Sequence, residues 1–462
     1  MHPRTLYKKL PQFVKTGLKC GYGALPLRLR VGKEFFRQLN DLEQRQWWTP
    51  QELRDYQNER LRALVRHAYA HVPYYRRLFR DCKLAPRDIR SVEDLHKIPL
   101  LSKDTVRADP DAFVTRGLDR RNLFAITTSG TTGKVVPVYA DYHNEHVIGN
   151  PYEWRFYRWA GYNPDDLCAV FRAQFDRRKD IYQYNPVQKK VFFSIYDITG
   201  KNIFHYYSAL RNFPFRFLKG YPAALAELVK GLREAGLSRP FSPRAIFTFA
   251  EVLSADQRGN IEEYFNAKIH DWYSMEERNV IACQCGCHRG YHVNSDYGIV
   301  EFGKPDPGFS DGAREIITTG LSNFVMPFIR YKTEDYGFPV EGPCPCRRGF
   351  PLMYLSGGRK RMYIMDKKGR YHRIMDYLEA YYEYIAQYQY HQRVPGKVTM
   401  CVIPRKTITP REENVMRAHL LQRYGEDFEF DFKPVRELDR TASGKTLLVV
   451  SSLSGAHTGR QG

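Results

Sequence analysis

The chain has 462 residues, 43% apolar and 14% aromatic, enough to bury a sizeable core in roughly two to four domains, and this excludes an intrinsically disordered polymer. Its formal charge is +21, from 72 Lys and Arg against 51 Asp and Glu, and no apolar run reaches the ~18–20 residues of a membrane-spanning helix. Nine cysteines, an odd number, argue against a disulfide framework and for a reducing compartment.

Much of the charge excess is local. Residues 1–40 hold nine Lys or Arg and a single acid, Glu34, for a net +8. This basic arm, within a helical stretch over 1–75, suits peripheral contact with an anionic membrane or an acidic partner protein. No aromatic-basic recognition motif is present, so nucleic acid is not an expected partner. Met1-His2-Pro3-Arg4 leads into basic sequence without a signal-peptide apolar segment, and a cytoplasmic location is the expectation.

Thr49-Pro50-Gln51-Glu52 is a capping box with proline at the first helical position. Leu61, Leu64, Val65, Ala68 and Tyr69 then recur at helical spacing, so a helix is expected over 50–70, closed by His71-Val72-Pro73. The apolar run Leu123-Phe124-Ala125-Ile126 reads as a strand. Strands at 167–171 and 245–249 alternate with helices at 222–237 and 254–265, the last capped by Ser254-Ala255-Asp256-Gln257. Alternation of this kind predicts α/β layers. A boundary is expected near Ser356-Gly357-Gly358-Arg359. Beyond it come a strand pair at 362–365 and 371–374, a tyrosine-rich helix, strands around 398–402 and a helix capped by Thr409-Pro410. The division is a large unit over 1–357 and a small α+β unit over 358–462.

The strand at 123–126 runs into Thr127-Thr128-Ser129-Gly130-Thr131-Thr132-Gly133-Lys134. Two glycines allow close backbone approach to an anion, hydroxyls and N–H groups can bond its oxygens, and Lys134 adds a positive charge. This is a phosphate-gripping loop but not a Walker A loop, because Thr128 and Val135 stand where that pattern needs Gly and Ser or Thr. Farther on, Asp271-Trp272-Tyr273-Ser274-Met275-Glu276-Glu277 puts rings beside carboxylates after a strand-like run, a combination able to stack a base and hold Mg²⁺ on a nucleotide.

The glycine-rich loop resembles the ATP-binding loop of the adenylate-forming enzymes, the acyl- and aryl-CoA ligases and their relatives. Other segments resemble that family in the same order. Tyr273 and Glu277 match its Tyr-Gly-x-Thr-Glu motif, with Ser274 and Glu276 as departures. Gly220-Tyr221-Pro222 and Phe249-Ala250-Glu251-Val252-Leu253 look like its substrate-pocket and adenine-edge segments. Arg330-Tyr331-Lys332-Thr333-Glu334-Asp335 resembles Arg-Tyr-x-Thr-Gly-Asp, with Glu334 in place of glycine. Gly358-Arg359 matches the hinge, followed here by Lys360-Arg361 rather than an acid. Asp439-Arg440-Thr441-Ala442-Ser443-Gly444-Lys445 resembles the segment carrying the adenylation lysine.

The resemblance implies a large multi-layer N-terminal domain and a small mobile C-terminal domain. It also implies ATP held by Ser129, Gly130, Thr131, Thr132, Gly133, Lys134, Glu251, Tyr273, Asp335 and Arg359, magnesium on Glu277, and catalysis by Lys445. Asp335 would accept bonds from both ribose hydroxyls, for which a carboxylate has enough lone pairs. A carboxylic acid, aryl acids included, would become an acyl-adenylate and then pass to a thiol of coenzyme A or of a phosphopantetheine carrier protein. Glu276, Glu334 and Arg361 motivate the alternative of a catalytically altered binding or scaffolding component in polysaccharide biosynthesis. Tyr152, Trp154, Arg172, Phe175 and Tyr207 are candidate walls of the acid pocket.

Cys344-Pro345-Cys346-Arg347-Arg348 resembles a Cys-x-Cys-Gly-Arg element and narrows the resemblance to the phenylacetate–CoA ligase, coenzyme F390 synthetase and capsule-biosynthesis (CapK-like) group. A structural zinc held by Cys285, His292, Cys344 and Cys346 is implied, with Cys283 or Cys287 as alternatives to Cys285. Four N/S ligands in a closed tetrahedron would staple the fold and take no part in the chemistry.

Overall fold

The computed structural model describes residues 12–127, 137–141, 149–172, 181–195, 198, 202–306, 312–359, 363–374, 385–439 and 448–453. The helix at Pro50–His71 starts where the capping box placed it. Thr49 Oγ1 accepts from the Glu52 N–H, and Glu52 accepts in turn from the Thr49 N–H. Its stripe Leu61, Leu64, Val65 and Ala68 is fully buried with Tyr75, Phe113, Phe328 and Tyr331 in one apolar cluster. Each such side chain contributes about 1.5–3 kcal/mol by leaving water.

Behind that cluster, the described residues form a twelve-stranded sheet. Five strands are parallel, in the spatial order Lys190–Phe193, Cys168–Phe171, Phe217–Gly220, Ala245–Phe249 and Ile269–Ser274. Tyr182–Asn185 forms the antiparallel edge on one side. On the other side the sheet continues antiparallel through Ile281–Gln284, Tyr291–Val293, Leu352–Arg359, Tyr331–Val340, Arg314–Gly320 and Gly298–Pro305. The helices Pro222–Glu234 and Ala255–Phe265 pack Leu225, Leu228, Leu232, Ile261 and Phe265 against one face of the parallel half. The mixed α/β architecture is the one expected.

Local differences from the expectation have physical causes. The helix begun at Pro222 ends at Glu234 rather than 237, because Gly236 turns to φ +66° and the Leu237 N–H closes back on the Leu232 carbonyl. The segment from Asp271 to Ser274, expected to follow a strand, is itself part of it, because its backbone pairs with Ala245–Phe249 on one side and Ile281–Gln284 on the other. The strand Phe124–Thr127 pairs antiparallel with Pro137–Ala140, and residues 128–136 between them lie outside the described residues.

The large sheet reaches Arg359. The hairpin Tyr363–Met365/Tyr371–Arg373 follows, and then a four-stranded sheet of Glu429–Pro434, Lys397–Pro404, Ile385–Val394 and Val449–Ser451. That sheet has its own core, in which Met416 and Leu420 of the helix Pro410–Tyr424 meet Tyr390, Met400 and Val402. The tyrosine-rich helix falls on residues 375–384, outside the described residues. Tyr388 and Tyr390, at the end of that run, are strand residues.

Glu334 has φ +64°, the left-handed region where glycine is at ease and a Cβ is crowded. Its side chain is exposed; the half-buried Glu315 carboxyl nearby is raised mainly by burial, against the opposing Lys332, with the Glu334 charge a smaller upward effect. Glu334→Gly is therefore expected to relieve about 1 kcal/mol of backbone strain. A rise in the thermal or urea midpoint is the predicted reading, and a fall would contradict the strain argument.

Candidate active site and metal cluster

The carboxyl ends of three neighbouring parallel strands gather three of the segments singled out in the sequence. Phe217–Gly220 delivers Gly220-Tyr221-Pro222, Ala245–Phe249 delivers Ala250-Glu251, and Ile269–Ser274 runs on to Glu277. In open parallel sheets this edge is where ligands bind, since helix N-termini and loops converge there. The Tyr221 and Phe249 rings lie 5.0 Å apart, and Glu251 Oε2 accepts from the Ala223 N–H at 3.2 Å, in the first turn of the helix Pro222–Glu234. Ala250 makes the bend at φ +65°.

The fourth segment is brought in from the antiparallel half. Tyr273 Oη donates to Asp335 Oδ2 at 2.9 Å, and Tyr331 Oη donates to Glu277 Oε1 at 2.8 Å. Each motif thus supplies one tyrosine and one carboxylate to the other. Hydrogen bonds to charged groups are worth about 1.5–3 kcal/mol each, so the two segments are firmly tied. Asp335 is 8% and Glu277 2% exposed. The Asp335 N–H also donates to Thr333 Oγ1. In the ladder Asp335 is paired with Arg359, the last residue of the large sheet. Tyr273, Asp335 and the Arg359 backbone therefore come together, and Glu277 is tied to Tyr331 farther along the same two segments. Ser129, Gly130, Thr131, Thr132, Gly133, Lys134 and Lys445 lie outside the described residues.

Asp271, within the same motif, has a different role. Its carboxylate is 3% exposed and accepts from Thr248 Oγ1 and Tyr291 Oη, both at 2.5 Å. Burial still raises its pKa against those two bonds. It braces the sheet rather than facing a ligand.

Sequence reasoning missed Lys219. It sits in an apolar strand, just before Gly220, and its Nζ donates to Glu153 Oε1 at 2.6 Å and to Tyr157 Oη. The ammonium lies 4.7 Å from the Phe249 ring centroid and 5.0 Å from that of Tyr157. Burial lowers the Lys219 pKa. For Glu153 burial acts upward, but Lys219 and Lys190 outweigh it and keep the carboxylate ionised. The only signal in the sequence is one lysine interrupting Phe217-Leu218-Lys219-Gly220. Of the proposed pocket walls, Tyr152 and Trp154 are committed elsewhere. Tyr152 Oη donates to the Asp296 carbonyl, and Trp154 packs edge-on against Phe35 at 4.6 Å. Tyr207 Oη lies 3.4 Å from Ser238 Oγ, the Arg172 guanidinium is 5.7 Å from the Phe192 ring, and Phe175 lies outside the described residues.

On the antiparallel half, the ligand atoms of Cys285, His292, Cys344 and Cys346 all fall within 4.8 Å of one another. Cys285 Sγ is 3.6 Å from Cys344 Sγ, and Cys346 Sγ is 3.3 Å from His292 Nε2. Tetrahedral zinc, with bonds of about 2.3 Å to sulfur and 2.0–2.1 Å to nitrogen, requires ligand atoms roughly 3.5–3.8 Å apart. The donor set and its spacing fit. The Cys287 N–H donates to Cys285 Sγ at 3.4 Å, a further aid to a thiolate. Burial pushes the Cys285 and Cys344 thiols up. For Cys346 burial also acts upward, but bonding to His292 and to the Arg348 backbone brings it to about 5. Three thiols and an imidazole are a donor set that a divalent cation takes, and its binding would draw the thiols to thiolates. Of the alternatives, Cys283 is buried in an aromatic cluster with Tyr152, Phe156 and Tyr297, and Cys287 is exposed.

No family model matches the chain. A phenylacetate–coenzyme A ligase of Aromatoleum evansii is 40% identical to it over 316 residues, covering 64% of this chain and 68% of the relative. The chain belongs to the phenylacetate–coenzyme A ligase group of adenylate-forming enzymes. As a member of that group it is an adenylate-forming acid–thiol ligase. Protein CapK of Staphylococcus aureus is 22% identical over 320 residues, 68% of each chain. Among solved structures, 2-hydroxyisobutyryl-CoA ligase in its postadenylation state shares the fold at TM-score 0.67 and 18% identity, over 89% of this chain and 92% of that one. Among the described residues, no helix is long and apolar enough to cross a membrane.

Proposed function

We propose that this ligase activates a carboxylic acid with ATP and passes the acyl group to coenzyme A. A carboxylate oxygen attacks the α-phosphorus, the bond to the bridging oxygen breaks, and pyrophosphate leaves. The thiol sulfur then attacks the acyl carbonyl, and AMP departs with the electron pair of the broken C–O bond. The observation that carries the nucleotide half is the pair of tyrosine–carboxylate bonds, Tyr273 to Asp335 and Tyr331 to Glu277, at the carboxyl edge of the sheet. They hold Asp335 where a ribose diol would meet it and present the Tyr273 ring beside it. Ser129, Gly130, Thr131, Thr132, Gly133 and Lys134 would cradle the phosphates, and Glu251 would border the base.

Glu277 would hold magnesium, which would neutralise phosphate charge. One carboxylate suffices, because phosphate oxygens and water complete an octahedral shell. Zinc on Cys285, His292, Cys344 and Cys346 would fasten the 281–293 hairpin to the 340–352 loop and stay out of the reaction. Lys445, on the small unit 358–462, would reach the site by rotation about Gly358-Arg359 and stabilise the charge that builds on carboxylate and phosphate. The exposed Glu334 keeps the left-handed backbone at this irregular step of the ladder and leaves Asp335 paired with Arg359, which favours a working enzyme over a scaffold.

Aromatic acids are the favoured substrate class. The phenylacetate activity of the A. evansii relative is one support, and the Tyr157 and Phe249 rings beside Lys219, with Tyr221 against Phe249, are the other. The test is pyrophosphate release from ATP over a panel of aryl and aliphatic acids, followed by transfer to coenzyme A or to a phosphopantetheine carrier in parallel reactions. Acid-dependent release with thioester formed on coenzyme A is expected. Release with no acid in the panel, or thioester only on the carrier, would contradict the reading.

A further inference from the structure

A surface remote from the nucleotide motifs is built by the helices Gln12–Ala24 and Leu27–Val31. Leu18, Tyr22, Leu25 and Leu29 are 52%, 43%, 41% and 69% exposed. Leu18 and Tyr22 stand four residues apart on the first helix, Leu25 lies in the break between the two helices, and Leu29 is on the second. Lys19, Arg28 and Lys33 are exposed beside them, and no acid occurs from Gln12 to Lys33. The opposite side is anchored. Gly23 packs so closely on Pro186 that a Cβ there would come to 2.6 Å from its carbonyl oxygen. Arg30 donates to the Val187 carbonyl and to Asp165, each at 2.7 Å.

The pair of helices is thus pinned to the turn before the strand Lys190–Phe193, and Leu18, Tyr22 and Leu25 border an open hollow beside Val187 while Leu29 stands exposed. Gly17 and Gly21 would meet no atom within 4 Å if they carried a Cβ, so packing does not explain them. Exposed glycines weaken a helix, and this one gains order from whatever meets its free face.

We propose that this face docks on an anionic bilayer, with Leu18, Tyr22, Leu25 and Leu29 at the level of the headgroups and Lys19, Arg28 and Lys33 on the lipid phosphates. Charge complementarity selects this occupant. An unbroken basic segment carrying a leucine–tyrosine stripe is the composition of a helix lying in a membrane interface, where neither the apolar nor the cationic part suffices alone. The proposal concerns a surface separate from the nucleotide site and stands or falls independently of the acid-activating reading.

The full chain should co-sediment with vesicles of phosphatidylcholine mixed with phosphatidylglycerol, and not with phosphatidylcholine alone. Salt should release it. Each of Lys19→Glu and Arg28→Glu should weaken binding by about fivefold or more, and the combined Leu18→Ser, Leu25→Ser and Leu29→Ser variant should abolish it. ATP-dependent pyrophosphate release and the melting temperature, measured on the same variants, should match the parent and show that they are folded. Indifference to anionic vesicles would overturn the proposal. So would binding unaffected by either set of substitutions, or light scattering in which the serine variants lose only self-association.

Discussion

Replacing Lys445 with alanine is expected to slow pyrophosphate release from ATP and acid by about 10²–10³-fold, the usual cost of removing one preorganised partner of a developing charge. ATP affinity should change little, because the groups proposed to hold the nucleotide belong to the large unit. The thioester-forming half should also survive when a preformed acyl-adenylate is supplied, since the α-phosphorus is not attacked in that half and Lys445 is assigned to the charge that this attack builds. Stopped-flow or coupled assays of the two half-reactions separate these effects. Equal losses in both halves would contradict the assignment of Lys445 to adenylation. An unchanged rate in both would remove it from catalysis.

The second large effect is structural. Purified protein should carry about one zinc per chain, and Cys344→Ser should lose it and lower stability by several kcal/mol, because metal affinity at such a site is folding free energy. The cluster joins segments at 285–292 and 344–346, so its loss leaves buried thiols from two hairpins without a cation. Elemental analysis with thermal denaturation reads both quantities. Cys287→Ser should leave zinc content unchanged, since Cys287 is exposed and offers Cys285 only a backbone N–H. A zinc-free parent, or a Cys344→Ser variant with the parent's melting temperature, would contradict this part of the account.

Elements set by local chemistry were legible in the sequence. Thr49 with Glu52, Ser254 with Gln257 and Thr409 with Glu412 each close both bonds of a capping box, and the helices start where those residues stand. The strand Ala245–Phe249 was legible too, because a run that is apolar apart from Thr248 suits a strand buried on both faces. What depended on distant partners was not. Asp271 looks like a ligand-facing acid in sequence, yet Thr248 and Tyr291 satisfy it from neighbouring strands. Cys283, Cys285 and Cys287 alternate at the same spacing, and although Cys283 is paired with His292 in the ladder, it is the Cys285 sulfur that gathers with His292, Cys344 and Cys346. Lys219 was hidden because its partners Glu153 and Tyr157 come from a helix far away in sequence. Glu334 read as damage to a motif, whereas the backbone keeps the left-handed turn that glycine would have made easily.

The central claim is a nucleotide site built on Asp335 and Tyr273. Titration calorimetry of the full chain with a non-hydrolysable acyl-sulfamoyl adenosine, in the presence of magnesium, tests it most directly. Saturable binding is predicted, weakened by roughly 10–100-fold in Asp335→Ala as the charged hydrogen bonds to the ribose are lost. No heat from the parent protein, or equal affinity in the Asp335→Ala variant, would contradict the account.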